Sequence, residues 1–435
     1  MALGVVAIIG SPNVGKSTIF NRICGRRHSI VDDEPGVTRD RLYETASWLN
    51  RDFRLIDTGG IEIENRPFQE QIRMQAQIAI DEADVILFVV DAQKGVSEDD
   101  RMVTKLLYKA KKPVVLAVNK IDNTEMIPNA SEFYALGLGD PIPTSGEHGI
   151  GIGDILDKII KFLPAEEETD YGDAITFSII GRPNVGKSSL VNAILNRERV
   201  IVSDIVGTTR DSVDSMFTRD GQEYVVIDTA GLKKRGKIYE SVDKYSMLRA
   251  LAAVDRSEIV LFVIDAETGI LEQDKHVAGY AAERKKAIII VVNKWDTVKR
   301  EQNTQAEFEK KIRKEFQFLD YAPIVFVSAL NRSKIDRIFE KIAQVHEAYD
   351  THIATSLLND VIQDAQMMNE APEFNGGRLK IYFINQANSC PPTFVLFVNK
   401  PKYAHFSYMR YIENRLRNAF NLDGTPIDLV LRERV

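Results

Sequence analysis

The chain has 435 residues, 44% of them hydrophobic and 27% charged, and a net charge of −7. That is the balance of an ordinary globular protein with room for about three domains. No apolar run approaches the ~18 residues that a membrane-crossing helix needs, which excludes a membrane transporter, and the N-terminal residues enter a strand rather than a basic leader, so no secretory signal is expected. The acidic balance argues against bulk attraction to nucleic acid, although a mean charge can hide a local basic face. Cys24 and Cys390 lack metal-ligand spacing and are expected to be two buried free thiols in a reducing cytosol.

In chain order, the first strand expected is Val5–Ile9. It enters a loop of Gly10, Ser11, Pro12, Asn13, Val14, Gly15, Lys16 and Ser17, followed by Thr18, with a helix expected from Lys16. Apolar runs at Phe53–Ile56, Val85–Val90 and Val114–Val118 follow. The rhythm then restarts. Ile175–Ile180 enters Gly181, Arg182, Pro183, Asn184, Val185, Gly186, Lys187 and Ser188, followed by Ser189. A helix is expected from Lys187, with further runs at Tyr224–Ile227, Ile259–Ile264 and Ala287–Val292. Lys16 and Lys187, Thr38 and Thr209, and Asp57 and Asp228 are each 171 residues apart, while Asn119 and Asn293 are 174 apart. A whole domain has been duplicated. Apolar runs bounded by turns and alternating with helical stretches predict mostly parallel sheets covered on both faces. Each copy therefore reads as an α/β doubly wound domain, at residues 1–163 and 174–349.

Between the copies, residues 164–173 are acidic, begin with Pro164 and lack apolar periodicity, as a solvated linker would. The second copy is expected to close with helices at Gln305–Phe316 and Lys334–Tyr349. Residues 350–435 differ in kind: a helix at Leu357–Met368, strands at Leu379–Ile384 and Thr393–Asn399, a helix at Phe406–Phe420 and a strand at Ile427–Leu431 predict a small αββαβ domain of α+β class.

The two loops have the Gly-x-x-x-x-Gly-Lys-Ser form of a P-loop. Glycine lets consecutive backbone N–H groups face a β-phosphate, the lysine bridges the β- and γ-phosphates, the serine hydroxyl ligates Mg²⁺, and the helix N-terminus turns its positive end to the same anion. Asn119, Lys120, Ile121 and Asp122, and again Asn293, Lys294, Trp295 and Asp296, end apolar strands downstream. They resemble the base-reading segment of the GTPase superfamily, in which the aspartate accepts from the guanine N1–H and exocyclic amine. Adenine offers no such donor pair. Ser145 with Gly146, and Ser328 with Ala329, fall where the family's Ser-Ala loop supports the base; Gly146 departs from the usual alanine.

Asp57, Thr58, Gly59 and Gly60, and Asp228, Thr229, Ala230 and Gly231, match the family's Asp-x-x-Gly, whose aspartate holds Mg²⁺ and whose last glycine meets the γ-phosphate. Thr38 and Thr209 resemble the switch threonine that ligates Mg²⁺ when GTP is bound; Thr208 is a rival, although the register favours Thr209. Loss of the γ-phosphate would release both segments. After Asp-x-x-Gly, Ras-like enzymes carry a glutamine that orients water. Here Ile61 and Leu232 stand there. The chain also resembles the branch of GTPases with Gly-x-Pro-Asn loops, in which the asparagine, here Asn13 and Asn184, helps hold a K⁺ ion that neutralises transition-state charge. The alternative is that both asparagines brace their own loops.

Two such domains, an acidic linker and an αββαβ tail together resemble the Der (EngA) family over essentially the whole chain. The resemblance implies a bacterial cytoplasmic GTPase, slow and K⁺-stimulated, that uses GTP, Mg²⁺ and K⁺. It also implies a KH-like C-terminal domain and a role in maturation of the large ribosomal subunit, with the large subunit and its rRNA as partners, no membrane, and a monomer in solution. The implied catalytic set is Asn13, Lys16, Thr38 and Gly60, with Asn184, Lys187, Thr209 and Gly231. The tail from Arg378 carries nine Lys/Arg against four acids, interleaved with Tyr382, Phe383, Tyr403, Phe406, Tyr408 and Tyr411. Such a mix suits RNA, or is a core with a solvated face. It has no Gly-x-x-Gly clamp, so it can instead dock on a GTPase domain. Leu232 is followed by the basic Lys233, Lys234, Arg235 and Lys237, while Ile61 is followed by Glu62 and Glu64, so the second switch is expected to meet RNA. Two other readings stay open: a GTP-stabilised scaffold with little turnover, and an accessory GTPase of RNA modification, against which the chain shows no further cofactor motif.

Overall fold

The computed structural model describes residues 4–25, 43–57, 73, 76–77, 80, 83–164, 171–196, 201–205, 214–228, 250, 252–299 and 303–434. They fall into two units, one before residue 171 and one from it onward.

The first unit is a six-stranded sheet formed by β1 (Gly4–Ile9), β2 (Tyr43–Trp48), β3 (Arg51–Asp57), β4 (Val85–Asp91), β5 (Val114–Asn119) and β6 (Ile142–Pro143), in the order β2-β3-β1-β4-β5-β6. All its pairings are parallel except β2 with β3. The reason β4 is an unbroken apolar run is visible in its burial: every residue from Val85 to Asp91 is covered, as a central parallel strand with helices on both faces must be. Helices Lys16–Cys24, Glu98–Ala110 and Ile152–Phe162 flank the sheet. The helix Glu98–Ala110 opens with a capping box in which Ser97 Oγ accepts from Asp100 N (3.1 Å) and Asp100 Oδ2 from Ser97 N (3.0 Å), satisfying two donors that the helix cannot.

The second unit repeats this with β7 (Ile175–Ile180), β8 (Ile201–Ile205), β9 (Asp214–Arg219), β10 (Gln222–Val226), β11 (Ile259–Asp265), β12 (Ala287–Asn293) and β13 (Ile324–Phe326), in the order β13-β12-β11-β7-β10-β9-β8. Helices Lys187–Leu195, Glu272–Glu283, Thr304–Glu315 and Asp336–Tyr349 belong to it. The antiparallel strands β2, β8 and β9, with β2 and β8 at the sheet edges and β9 between β8 and β10, mix polar with apolar residues and so make no apolar run.

The C-terminal part lies in the same unit. A short hairpin, β14 (Glu373–Phe374) with β15 (Gly377–Arg378), precedes the sheet β16 (Ile381–Ser389), β17 (Pro392–Val398) and β18 (Asp428–Glu433). Helices Thr355–Met368 and Phe406–Ala419 cover one face, packing Leu358, Ile362, Tyr408, Ile412 and Leu416 on Ile384, Phe394, Leu396 and Val398. This small domain is joined to the second α/β domain by main-chain bonds: Gly424 N–H donates to Tyr321 O (2.8 Å) and Ile288 N–H to Gly424 O (2.9 Å). Lys285 pairs with Asp428 (2.6 Å) and the Arg417 guanidinium lies 4.8 Å over the Tyr321 ring.

One expectation needs correction. Cys24 is buried, and burial together with Glu44 pushes its thiol up to about 12. Cys390 is exposed, because it sits in the tight turn between β16 and β17 rather than on a packed face. Among the described residues, no helix is long and apolar enough to cross a membrane.

Candidate nucleotide-binding sites

Each P-loop sits where its sheet changes direction of growth. β1 has β3 on one side and β4 on the other, and β7 lies likewise between β10 and β11, so the crevice beyond the carboxyl end of each is the topological switch point. The two loops share a backbone. Gly15 and Gly186 both have φ 95°, and a Cβ on them would lie 2.2 Å and 2.3 Å from the side-chain nitrogens of Asn119 and Asn293. That close approach permits a brace. Asn119 Nδ2 donates to Val14 O (2.8 Å) while its Oδ1 accepts from Gly146 N (2.9 Å). Asn293 Nδ2 donates to Val185 O (2.9 Å) and its Oδ1 accepts from Ala329 N (3.0 Å). One buried amide thus ties the phosphate loop to the base loop in each copy. Gly146, which departs from the family's alanine, occupies the same position as Ala329.

The lysine ammonium groups lie against the start of each loop. Lys16 Nζ donates to Gly10 O (2.9 Å) and Ser11 O (3.0 Å), and Lys187 Nζ to Gly181 O (2.6 Å) and Arg182 O (2.8 Å). Burial draws Lys16 below the ordinary lysine range, with Asp57 opposing. Asn13 (φ 63°) and Asn184 (φ 66°) are left-handed and exposed, and among the described residues neither side chain makes a hydrogen bond. They do not brace their own loops. Ser17 Oγ donates to Asp57 Oδ2 (2.7 Å), so a hydroxyl and a carboxylate converge, an oxygen-only donor set that suits a hard dication such as Mg²⁺.

On the base side, Asp122 and Asp296 are exposed, whereas the neighbouring Ile121 and Trp295 are core residues. Ser145 Oγ donates to Asp122 Oδ1 (2.6 Å) and accepts from His148 N (3.1 Å), while Ser328 Oγ accepts from Asn331 N (3.2 Å). Lys120 pairs with Asp91 (2.6 Å) and Lys294 with Asp265 (2.7 Å). Burial pushes Asp265 up, but Lys294 and the N–H groups of Glu267 and Thr268 overcome it and hold the carboxyl below its usual range. Asp91 and Asp265 were not singled out from the sequence. The signal was there: each ends a strand and lies 28 residues before the asparagine of its copy.

The copies differ around the second loop residue. Ser11 Oγ donates to Asp100 Oδ1 (3.2 Å), whereas Arg182 forms a buried ion pair with Asp274 (3.1 Å). They differ again beneath the Mg²⁺-type aspartate. Asp228 takes φ 58°, and its N–H donates to Asp214 Oδ1 (2.9 Å). Asp214 Oδ2 accepts from Tyr171 OH (2.6 Å) and pairs with the Arg256 guanidinium, whose Nη2 also donates to Tyr171 (2.7 Å). Burial, then the Asp214 carboxylate, pushes the Tyr171 hydroxyl up to about 12. The position 171 residues before Asp214 is Tyr43, so the first copy has no carboxylate there. Thr38, Thr58, Gly59, Gly60, Ile61, Thr209, Thr229, Ala230, Gly231, Leu232 and the basic Lys233, Lys234, Arg235 and Lys237 lie outside the described residues.

Two doubly wound domains, each with a P-loop at its switch point tied by the asparagine of an Asn-Lys-x-Asp segment to the loop after the next strand, define a tandem P-loop GTPase. A family model described as "50S ribosome-binding GTPase" matches residues 5–120 and 176–294, and one described as "KH-domain-like of EngA bacterial GTPase enzymes, C-terminal" matches residues 352–432. The GTPase Der proteins of Staphylococcus aureus strains JH9 and Newman are each 58% identical over 435 residues, covering 100% of both chains. Among solved structures, an Era variant from Aquifex aeolicus bound to GDP and aluminium fluoride is similar with a TM-score of 0.32 and 22% identity, over 60% of this chain and 93% of that one. The chain belongs to the Der (EngA) family: it binds guanine nucleotide, hydrolyses GTP and ends in a KH-like domain.

Proposed function

We propose that the two GTPase domains are coupled switches that time the binding of this chain to the maturing large ribosomal subunit. The observation that carries the link from the second switch to the KH-like domain is β12. Asn293 at its end braces the second nucleotide site, and Ile288 nearer its start is bonded to Gly424 of the KH-like domain. A nucleotide-dependent shift of the brace has a seven-residue strand as its path to the domain that would report it. The 50S-binding description of the matching family model supports the partner. The test is co-sedimentation with purified ribosomal subunits in GDP, a non-hydrolysable GTP analogue and no nucleotide. A preference for the large subunit that changes with nucleotide is expected; equal association in all three states, or none, overturns the reading.

In each site the lysine, Lys16 or Lys187, meets the β- and γ-phosphates. Ser17, Asp57 and Thr38, or Ser188, Asp228 and Thr209, would hold Mg²⁺, and the N–H of Gly60 or Gly231 would read the γ-phosphate. Ile61 and Leu232 cannot orient water. Asn13 and Asn184, whose side chains make no hydrogen bond among the described residues, would in part hold a K⁺ ion, which would supply positive charge beside the phosphate oxygens. A fixed cation at that place supplies what an arginine finger supplies elsewhere, an effect of order 10³-fold or more when complete. Turnover should be at least about tenfold faster in KCl than in NaCl at equal ionic strength, and Asn13→Ala with Asn184→Ala should erase the difference. Equal rates in the two salts would sink the K⁺ assignment.

A further inference from the structure

The aromatic residues of the tail separate cleanly in the structure. Tyr408 is core, and Tyr411 is partly buried with its hydroxyl donating to Ala365 O (3.0 Å). Tyr382 and Phe383 are 42% and 43% exposed. Consecutive residues of a regular strand point to opposite faces, so this pair needs a cause. It is a β-bulge: Ile381 pairs with Val398 and Phe383 with Phe397, leaving Tyr382 as the extra residue on β16. Ile381 and Ile384 still enter the core, while the two rings between them both remain in solvent.

Phe383 shares a row with Phe397 of β17 and Arg432 of β18, on the face opposite Phe394, Leu396 and Val398. The Phe383 and Phe397 ring centroids are 5.9 Å apart. Lys380 Nζ and Arg434 Cζ lie 5.4 Å and 5.2 Å from the Tyr382 centroid. Lys380, Arg432 and Arg434 are exposed, and none of the three pairs with an acid among the described residues. The strand end that meets the second GTPase domain is the other one, at Ser389, Pro392 and Asp428, where Lys285 pairs with Asp428.

From these observations we infer that this corner of the three-stranded sheet is a stacking platform for single-stranded RNA. The rings of Tyr382, Phe383 and Phe397 take bases, and Lys380, Arg432 and Arg434 take the phosphates beside them. Unpaired cations interleaved with exposed rings complement a polymer whose repeat is one π-face and one negative charge. An apolar protein partner would have to bury those three charges uncompensated. The proposal deepens the ribosomal reading above, since it names which face touches RNA. It does not use a Gly-x-x-Gly clamp, which the chain lacks.

The test uses the full-length protein with GDP and fluorescein-labelled 12-nucleotide oligouridylate and oligoadenylate, read by anisotropy. Tyr382→Ala with Phe383→Ala should weaken both complexes by about 5- to 150-fold for each base that loses its stack. Arg432→Gln with Arg434→Gln should lower the slope of log affinity against log salt by about 0.7 for each lost phosphate contact. GTP turnover should be unchanged in both double variants, which shows that their GTPase domains fold. Wild-type affinity and salt slope in both variants would overturn the assignment. So would a polyglutamate peptide that competes with the RNA at equal charge concentration, since it would indicate an acidic protein partner. If wild-type protein co-sediments with large subunits and both variants do so equally, the ribosomal reading stands and this face is wrong. If wild-type protein does not co-sediment at all, the broader reading fails instead.

Discussion

Gly186→Ala should remove nucleotide binding from the second site and leave the first intact. At φ 95° the backbone conformation is one that an L side chain occupies at a cost of about 1–2 kcal/mol. The larger effect is steric. The new Cβ would stand 2.3 Å from Asn293 Nδ2, so the amide must leave Val185 O and loosen its hold on Ala329 N. Each buried group left without its partner costs a further ~1–3 kcal/mol. Together these exceed about 3 kcal/mol, more than a hundredfold in affinity. Equilibrium dialysis with labelled GDP should find one nucleotide per chain where the parent binds two. Gly15→Ala should do the same to the first site, through Asn119. Two nucleotides bound with parental affinity in either variant would show that the brace does not hold the phosphate loop.

That prediction rests on a contact which the sequence announces only in part. Lys16, Lys187 and the asparagines could be found from the chain because each motif is a local pattern with a chemical reason for its spacing. The apolar runs were equally legible: Val85–Val90 and Ile259–Ile264 are buried on both faces, so their residues are apolar without alternation. What could not be read is pairing between positions far apart in the chain. Nothing local links Asn119 to Val14, Lys120 to Asp91, or Asp228 to Asp214. The antiparallel strands near the sheet edges are a related case. Tyr43–Trp48 and Asp214–Arg219 mix polar with apolar residues, so the signal falls to that of a loop. The bulge at Tyr382 is a third case. Two adjacent aromatics in a strand predict one ring inside and one outside, and only the pairing register shows that both are outside.

The same distinction separates the two copies. Their motifs are nearly identical, yet the supports differ where the motif ends. Arg182 pairs with Asp274 at the second loop, and Asp214, held by Tyr171 and Arg256, bonds to Asp228 N–H; in the first copy Ser11 bonds to Asp100, and the sequence position matching Asp214 is Tyr43. Tyr171 lies near the end of the acidic linker, so the point where the chain enters the second domain is bonded, through Asp214, to the N–H of Asp228. The same motifs are thus mounted on unlike frames.

The aspartates proposed to read guanine, Asp122 and Asp296, offer the sharpest separation of the two sites. A carboxylate accepts from both the N1–H and the exocyclic amine of guanine, whereas an asparagine amide has one acceptor and one donor. Asp122→Asn therefore leaves a guanine donor facing an amide N–H, a mismatch of the kind that hydrogen-bonding sites reject by about 10⁴-fold. Xanthine carries a carbonyl where guanine has its amine, and the amide can accept from one group and donate to the other. In a chain whose second site is silenced by Lys187→Ala, Asp122→Asn should lower kcat/KM for GTP by at least about 10²-fold and make xanthosine triphosphate the better substrate. Ser145 Oγ, 2.6 Å from Asp122 Oδ1, can rotate to accept from the amide, so the loop itself should be kept. The converse chain, Lys16→Ala with Asp296→Asn, reports on the second site, where Ser328 Oγ accepts from Asn331 N–H. Steady-state phosphate release with both nucleotides measures each case. GTP preferred over xanthosine triphosphate in both variants would mean that these carboxylates do not read the base.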